Sequence, residues 1–155
     1  MGAVTAAAQA STGSVLTATE YNKLPRGVVY YATVTADQTG FGTSATDITG
    51  LSATWTAISG HAYRTTLYVQ TIQRTAASTI SLILSDGAGT GQAGTQNYAG
   101  AVNAWVLMTL THIETGLSGS VTRKARLFTN ANTVDMIATG TSKQASIVVE
   151  DLGLA

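Results

Sequence analysis

The chain has 155 residues, eight basic and eight acidic side chains, and no cysteine. That length is one domain's worth, enough to bury a core without staples, and the composition excludes disulfide and thiol chemistry. Zero net charge argues against a broad electrostatic footprint for nucleic acid or anionic lipid, and it favours self-association.

Residues 1–14 are mostly Ala, Ser, Thr, Gly and Gln, with little to bury, and read as an N-terminal arm. Fully extended, the arm spans on the order of 45 Å at ~3.3 Å per residue. Its start lacks a basic n-region and a continuous apolar stretch, so no signal peptide is expected. Ala6 stands where a myristoylation motif carries Ser or Thr. Residues 15–25 follow as a short helix and linker. Thr17 and Glu20 have capping-box spacing, Leu16 and Tyr21 suit the accompanying staple, and Pro25 stops the helix.

From Gly27 the pattern changes to apolar residues alternating with Thr, Ser and Gln, as in Tyr63-Arg64-Thr65-Thr66-Leu67-Tyr68-Val69. β-branched and aromatic side chains at period two predict half-buried strands. Strands are expected at 27–35, 45–50, 52–58, 62–73, 79–86, 104–115, 121–129, 133–139 and 145–152. Turns are expected at 37–40, 59–60, 116–119, 130–132 and 140–142. The segment 87–103 reads as a long glycine-rich loop. Eight or nine such strands, at 26–155, predict an all-β, antiparallel β-sandwich of the jelly-roll type. No stretch approaches the ~20 apolar residues of a membrane-spanning helix.

Gly89-Thr90-Gly91-Gln92-Ala93-Gly94 matches the spacing of a dinucleotide fingerprint. That chemistry needs a helix after the third glycine, and Thr95-Gln96-Asn97-Tyr98 has no helical period, so a loop at the sandwich rim is expected. His61 reads as a turn residue after Ser59-Gly60, and His112 as facing solvent or an interface; neither has a ligand at metal spacing. Asp86 has no second acid nearby for calcium. No Gly-x-Ser-x-Gly elbow occurs. Catalytic, cofactor and metal residues are therefore expected to be absent.

Arg123-Lys124-Ala125-Arg126 is the one charge cluster. On a strand, Lys124 and Arg126 share a face with Phe128, and Arg123 points with Val121 and Leu127. Lysine and arginine there either guard an exposed edge or dock on an acidic partner. Tyr68, beside Arg64 and Gln70 on the outward register, suits a subunit interface or a sugar-stacking surface. Tyr68, Lys124 and Arg126 are the candidate surface contacts; Leu16, Tyr21 and Leu24 are the candidate assembly anchor.

Three stretches carry a family resemblance. Residues 12–28, with Leu16-Thr17-Ala18 and Tyr21-Asn22-Lys23-Leu24-Pro25-Arg26-Gly27, resemble the opening of small structural proteins from tailed phages of actinobacteria. Residues 47–57, opening Asp47-Ile48-Thr49-Gly50-Leu51-Ser52, resemble their "D-L-T-G-L-S-V-T" strand pair, and residues 145–153, ending Val149-Glu150-Asp151-Leu152-Gly153, their closing strand. Unlike in many of those proteins, no collagen-like or coiled-coil stalk is expected before the β domain. With the low charge and the arm, the resemblance implies a non-enzymatic virion structural protein, made in the host cytoplasm. It would be a homo-oligomer, expected to be a trimer, serving as a minor tail or capsid decoration protein. Its expected partners are itself and other virion proteins, not nucleic acid or membrane. The alternative is a lectin-like module that binds a carbohydrate or receptor, such as a host surface glycan.

Overall fold

The computed structural model describes residues 23–139 and 144–155. Ten strands occur among them and no helix. They are β1 (Gly27–Val34), β2 (Gln38–Phe41), β3 (Thr46–Ala57), β4 (His61–Gln73), β5 (Ser78–Asp86), β6 (Gly91–Ala99), β7 (Trp105–Glu114), β8 (Gly119–Thr129), β9 (Val134–Met136) and β10 (Ala145–Leu154). Every pairing is antiparallel, and the described residues are all-β in two sheets.

The 13-residue β4 organises the larger, six-stranded sheet. Its first half pairs with β10, whose other edge carries β1. Its last three residues pair with β9, which in turn carries β2. β7 runs along β4 from Tyr63 to Ile72, on the opposite flank. The smaller sheet has the order β3-β8-β5-β6.

The alternation seen in the sequence becomes the two faces of each sheet. In β4, His61, Tyr63, Thr65, Leu67 and Val69 are buried while the residues between them are half-exposed. In β8, Val121, Arg123, Ala125, Leu127 and Thr129 are buried in the same way. The inward rows of both sheets meet in one apolar cluster. Leu67, Val69, Ile147 and Val149 come from the larger sheet, and Leu51, Leu82, Leu84 and Leu127 from the smaller. Trp55 of β3 and Tyr63 of β4 touch across the layers with ring centroids 5.8 Å apart. Each fully buried leucine contributes roughly 1.5–3 kcal/mol relative to exposure, so these rows hold the layers together.

Several expectations are corrected. The arm at 1–14, most of the helix at 15–25 and the whole turn at 140–142 lie outside the described residues. The described end of the helix segment, 23–25, forms a turn and then runs extended into β1, as the proline dictates. The strands expected at 45–50 and 52–58 are one strand, β3. Its register against β8 shifts between Asp47 and Ser52, and Gly50 sits there at φ 87. A glycine read as a break is a bulge. The turn expected at 37–40 is instead mostly β2, and the strand expected at 133–139 shrinks to β9.

The largest correction is the loop at 87–103. Nine of its residues form β6, paired with β5 from Ser78↔Ala99 to Ser85↔Gly91. The joining turn is tight: Asp86 N donates to the Thr90 carbonyl (2.9 Å), and Thr90 N donates to the Asp86 carboxylate (2.8 Å). β6 has too few large apolar residues to show alternation, and backbone pairing with β5 makes it a strand. Replacing 88–99 by a short Gly-Ser linker removes that ladder and uncovers Leu82 and Leu84. The melting temperature is expected to fall by at least ~6 °C, roughly 2–3 kcal/mol for a chain of this size. Differential scanning calorimetry checks this.

Candidate functional site

The outer face of the larger sheet is built from the residues that alternation turns outward. Across the strands they form rows: Val28–Glu150–Arg64–Ile113, Tyr31–Val148–Thr66–Thr111, and Thr33–Ser146–Tyr68–Thr109. Gln70–Leu107 follows in β4 and β7. Nine large apolar side chains are exposed among the described residues, and five of them lie on this face: Val28, Tyr31, Trp105, Leu107 and Ile113. Its only charges in β1, β10, β4 and β7 are Arg64 and Glu150. These bind each other in a fork, Nε to Oε2 at 2.8 Å and Nη2 to Oε1 at 3.0 Å. Tyr68 therefore lies in a broad, nearly uncharged face.

The Arg64 hydrogen bonds hold the Glu150 carboxyl below the usual carboxylate range, and hydrogen bonding to Glu150 raises the Arg64 guanidinium. Hydrogen bonding from the Thr90 backbone holds Asp86 low as well. Both carboxyls are depressed by folding. Their contribution is present above the unfolded value, roughly 4.3 for Glu and 3.9 for Asp, and is lost as pH falls through the folded value. The melting temperature is expected to decline on acidification through this range, and Arg64→Met is expected to shallow the decline. Thermal melts of both proteins at stepped pH check it.

Lys124 and Arg126 lie elsewhere, on the outer face of the smaller sheet, with Phe128 as expected. Both reach Asp47: Lys124 Nζ to Oδ2 at 3.0 Å and Arg126 Nε to Oδ1 at 2.9 Å. Arg126 also donates to the carbonyls of Gly89 (2.9 Å) and Ala45 (2.6 Å), tying the β5–β6 turn to the approach to β3. These two cations brace the sheet. Beside them is an open groove of about 740 Å³, floored by Ser81, Ile83 and Gly94 and flanked by Gln92, Gln96 and Phe128.

Arg123 does not belong with Lys124 and Arg126. It turns inward and forks onto Glu114 of β7, with Nη2 to Oε1 at 2.6 Å and Nε to Oε2 at 2.9 Å. Both side chains are 9% exposed, so an ion pair joins the two sheets near one end of the sandwich. His112, expected outward, is half-buried on the inward register of β7, its Nε2 4.0 Å from Glu114.

His61 is corrected too. It closes the turn after Gly60 but is the first residue of β4 and wholly buried. Its Nδ1 lies 2.8 and 3.0 Å from the two oxygens of Asp151, which is also buried. Asp151 accepts in addition from Gly153 N at 2.8 Å. That bond shapes the bulge in β10 where Gly153 takes φ 86. A Cβ on Gly153 would lie 3.1 Å from both Lys23 O and Pro25 N. Two phrases far apart in sequence, Leu24-Pro25-Arg26-Gly27 and Glu150-Asp151-Leu152-Gly153, thus lie against each other. Leu24, half-buried, is the one described member of the expected anchor; Leu16 and Tyr21 lie outside the described residues.

Among the described residues, no group of three or more His, Asp or Glu is placed to hold a metal ion. The glycines of the fingerprint-like segment serve the β5–β6 turn and β6, and the chain continues from Gly94 as a strand. Comparison with known protein families and with curated protein sequences finds no match to either.

Proposed function

We propose that the chain is a non-enzymatic, homo-oligomeric structural subunit of a tailed-phage particle, a minor tail or capsid decoration protein, with a trimer as the closed form. One observation carries the reading: the outer face of the larger sheet gathers five exposed large apolar side chains around a single self-neutralised ion pair. Such a face gains by burial against protein. The resemblance of residues 12–28, 47–57 and 145–153 to phage structural proteins supplies the particle.

The jelly-roll form of the sandwich belongs to the same proposal. Leaving aside the short β2 and β9, eight strands pair in a nest: β1 with β10, β3 with β8, β4 with β7, β5 with β6. They lie as β1-β10-β4-β7 and β3-β8-β5-β6. That wiring supports a double Greek key, an architecture used by viral capsid and lectin domains. Mass spectrometry and electron microscopy of purified particles test the reading. The protein is expected at a fixed symmetric position, and its absence from washed particles overturns the proposal. Sedimentation as a stable monomer at micromolar concentration overturns the oligomer.

A glycan-binding module is the second reading, favoured by the groove with Phe128 as an aromatic wall and Gln92 and Gln96 as amide donors and acceptors. Glycan-array binding lost in Phe128→Ala would establish it.

A further inference from the structure

A strand at a sheet edge offers unpaired N–H and C=O groups, and folded chains blunt such edges. Most edges here are blunted. At the rim where β7 and β6 lie side by side, the Asn97 side chain donates to the Leu107 carbonyl at 3.4 Å. The edge of β3 is capped at Thr49 by the Gln38 amide, which accepts from Thr49 N (2.9 Å) and donates to Thr49 O (2.8 Å). β2 is only four residues long.

β1 bulges between Val28 and Tyr30 and runs beside β3, where a Cβ on Gly50 would lie 2.9 Å from Val34 Cγ2; from Tyr30 on it has no side-chain cap. It is eight residues of Gly, Val, Tyr, Ala and Thr with no charge and no proline, paired on one side with β10. Among the described residues, no hydrogen bond reaches its other side. Val28 and Tyr31, on the outer face beside that edge, are 58% and 61% exposed.

We propose that β1 pairs edge to edge with β1 of a second copy, antiparallel about a twofold axis at Tyr31, joining two larger sheets into one. An identical partner is penalised wherever like charges meet, and residues 27–36 carry none. The first charges beyond them are Arg26 and Asp37. They lie at opposite ends, so antiparallel pairing keeps each away from its own copy, and the Asp37 carboxylate already accepts from Ala138 N and Thr139 N within the chain. The shared sheet also continues the apolar outer face across the axis, placing the two Tyr31 rings side by side. The contact is isologous and closes on itself. It does not rest on the virion reading. Alone it gives a dimer; combined with threefold closure on another surface it gives six copies in dihedral symmetry.

The cysteine-free chain makes a clean test. Directly opposed antiparallel residues have Cα atoms roughly 4.5–5.5 Å apart, within disulfide reach. In the full-length protein, Tyr31→Cys is expected to form a disulfide-linked dimer at least tenfold faster than Ile113→Cys, a control of similar exposure on β7. Tyr31→Lys is expected to halve the sedimenting mass with an unchanged β-sheet circular dichroism spectrum; Thr33→Lys on the same strand serves if that variant does not fold. Equal cross-linking at both positions overturns the proposal. So does a folded lysine variant of unchanged mass. Preferential cross-linking of the Tyr31→Cys thiol to a second cysteine placed in residues 1–22 overturns it as well. Particle location and composition bear on the virion reading alone, so the two can fail separately.

Discussion

Arg123→Ala is expected to lower the melting temperature by about 10–15 °C, from a loss of roughly 3–5 kcal/mol. The guanidinium and the Glu114 carboxylate are each 9% exposed and meet in a fork between the sheets. Removing the arginine strands a carboxylate away from water, with the His112 ring 4.0 Å away in its place. The penalty comes from that abandoned charge more than from the lost attraction. The double variant Arg123→Met/Glu114→Leu is therefore expected to recover most of the loss. Thermal melts of the single and double variants decide it: a double variant as unstable as Arg123→Ala would mean that packing of the arginine stem matters more than its charge.

Asp151→Ala is expected to cost about 2–5 kcal/mol, because it leaves both the buried His61 ring nitrogen and Gly153 N without their Asp151 acceptor. The damage should spread, since the bulge that Asp151 shapes is where residues 23–25 pack against β10. Hydrogen exchange is expected to rise at Gly153, Leu154 and His61 before it rises in β5 or β8. Uniform exchange across both sheets would show that the bulge and the core open as one unit.

Large side chains are what made the fold legible in the sequence. Alternation of Leu, Val, Ile and Thr locates β4, β5, β7, β8 and β10, and it separates Arg123 from Lys124 and Arg126 by face. It fails where the strand has few large apolar residues to alternate. β6 begins Gly91-Gln92-Ala93-Gly94, and β2 is Gln38-Thr39-Gly40-Phe41; both become strands through ladders with β5 and β9. Partners across layers are also invisible to alternation. It turns Arg123 inward, but Glu114 lies on the other sheet beyond a turn. His61 reads as a turn residue because Asp151 is 90 positions away. The candidate face is half legible: alternation places Tyr68 on it, whereas Tyr31, Leu107 and Ile113 gain meaning only when β1, β10, β4 and β7 lie in register.

The nested pairing also sets a timetable for synthesis. β5 and β6 adjoin in sequence and can pair as soon as Ala99 emerges; β7, β8 and finally β10 then close on β4, β3 and β1 in turn. β1 waits longest. Residues 35–144 must be translated before its partner begins, on the order of 5–20 s at roughly 5–20 residues per second. Through that interval both of its edges are open, and neighbouring nascent chains on one message carry the same uncharged strand. A ribosome-bound chain thus has an interval in which other copies of β1 are within reach and its own β10 is not. Partner choice at this strand is a contest between chain completion and encounter, and slower translation of the last third tilts it toward misassembly.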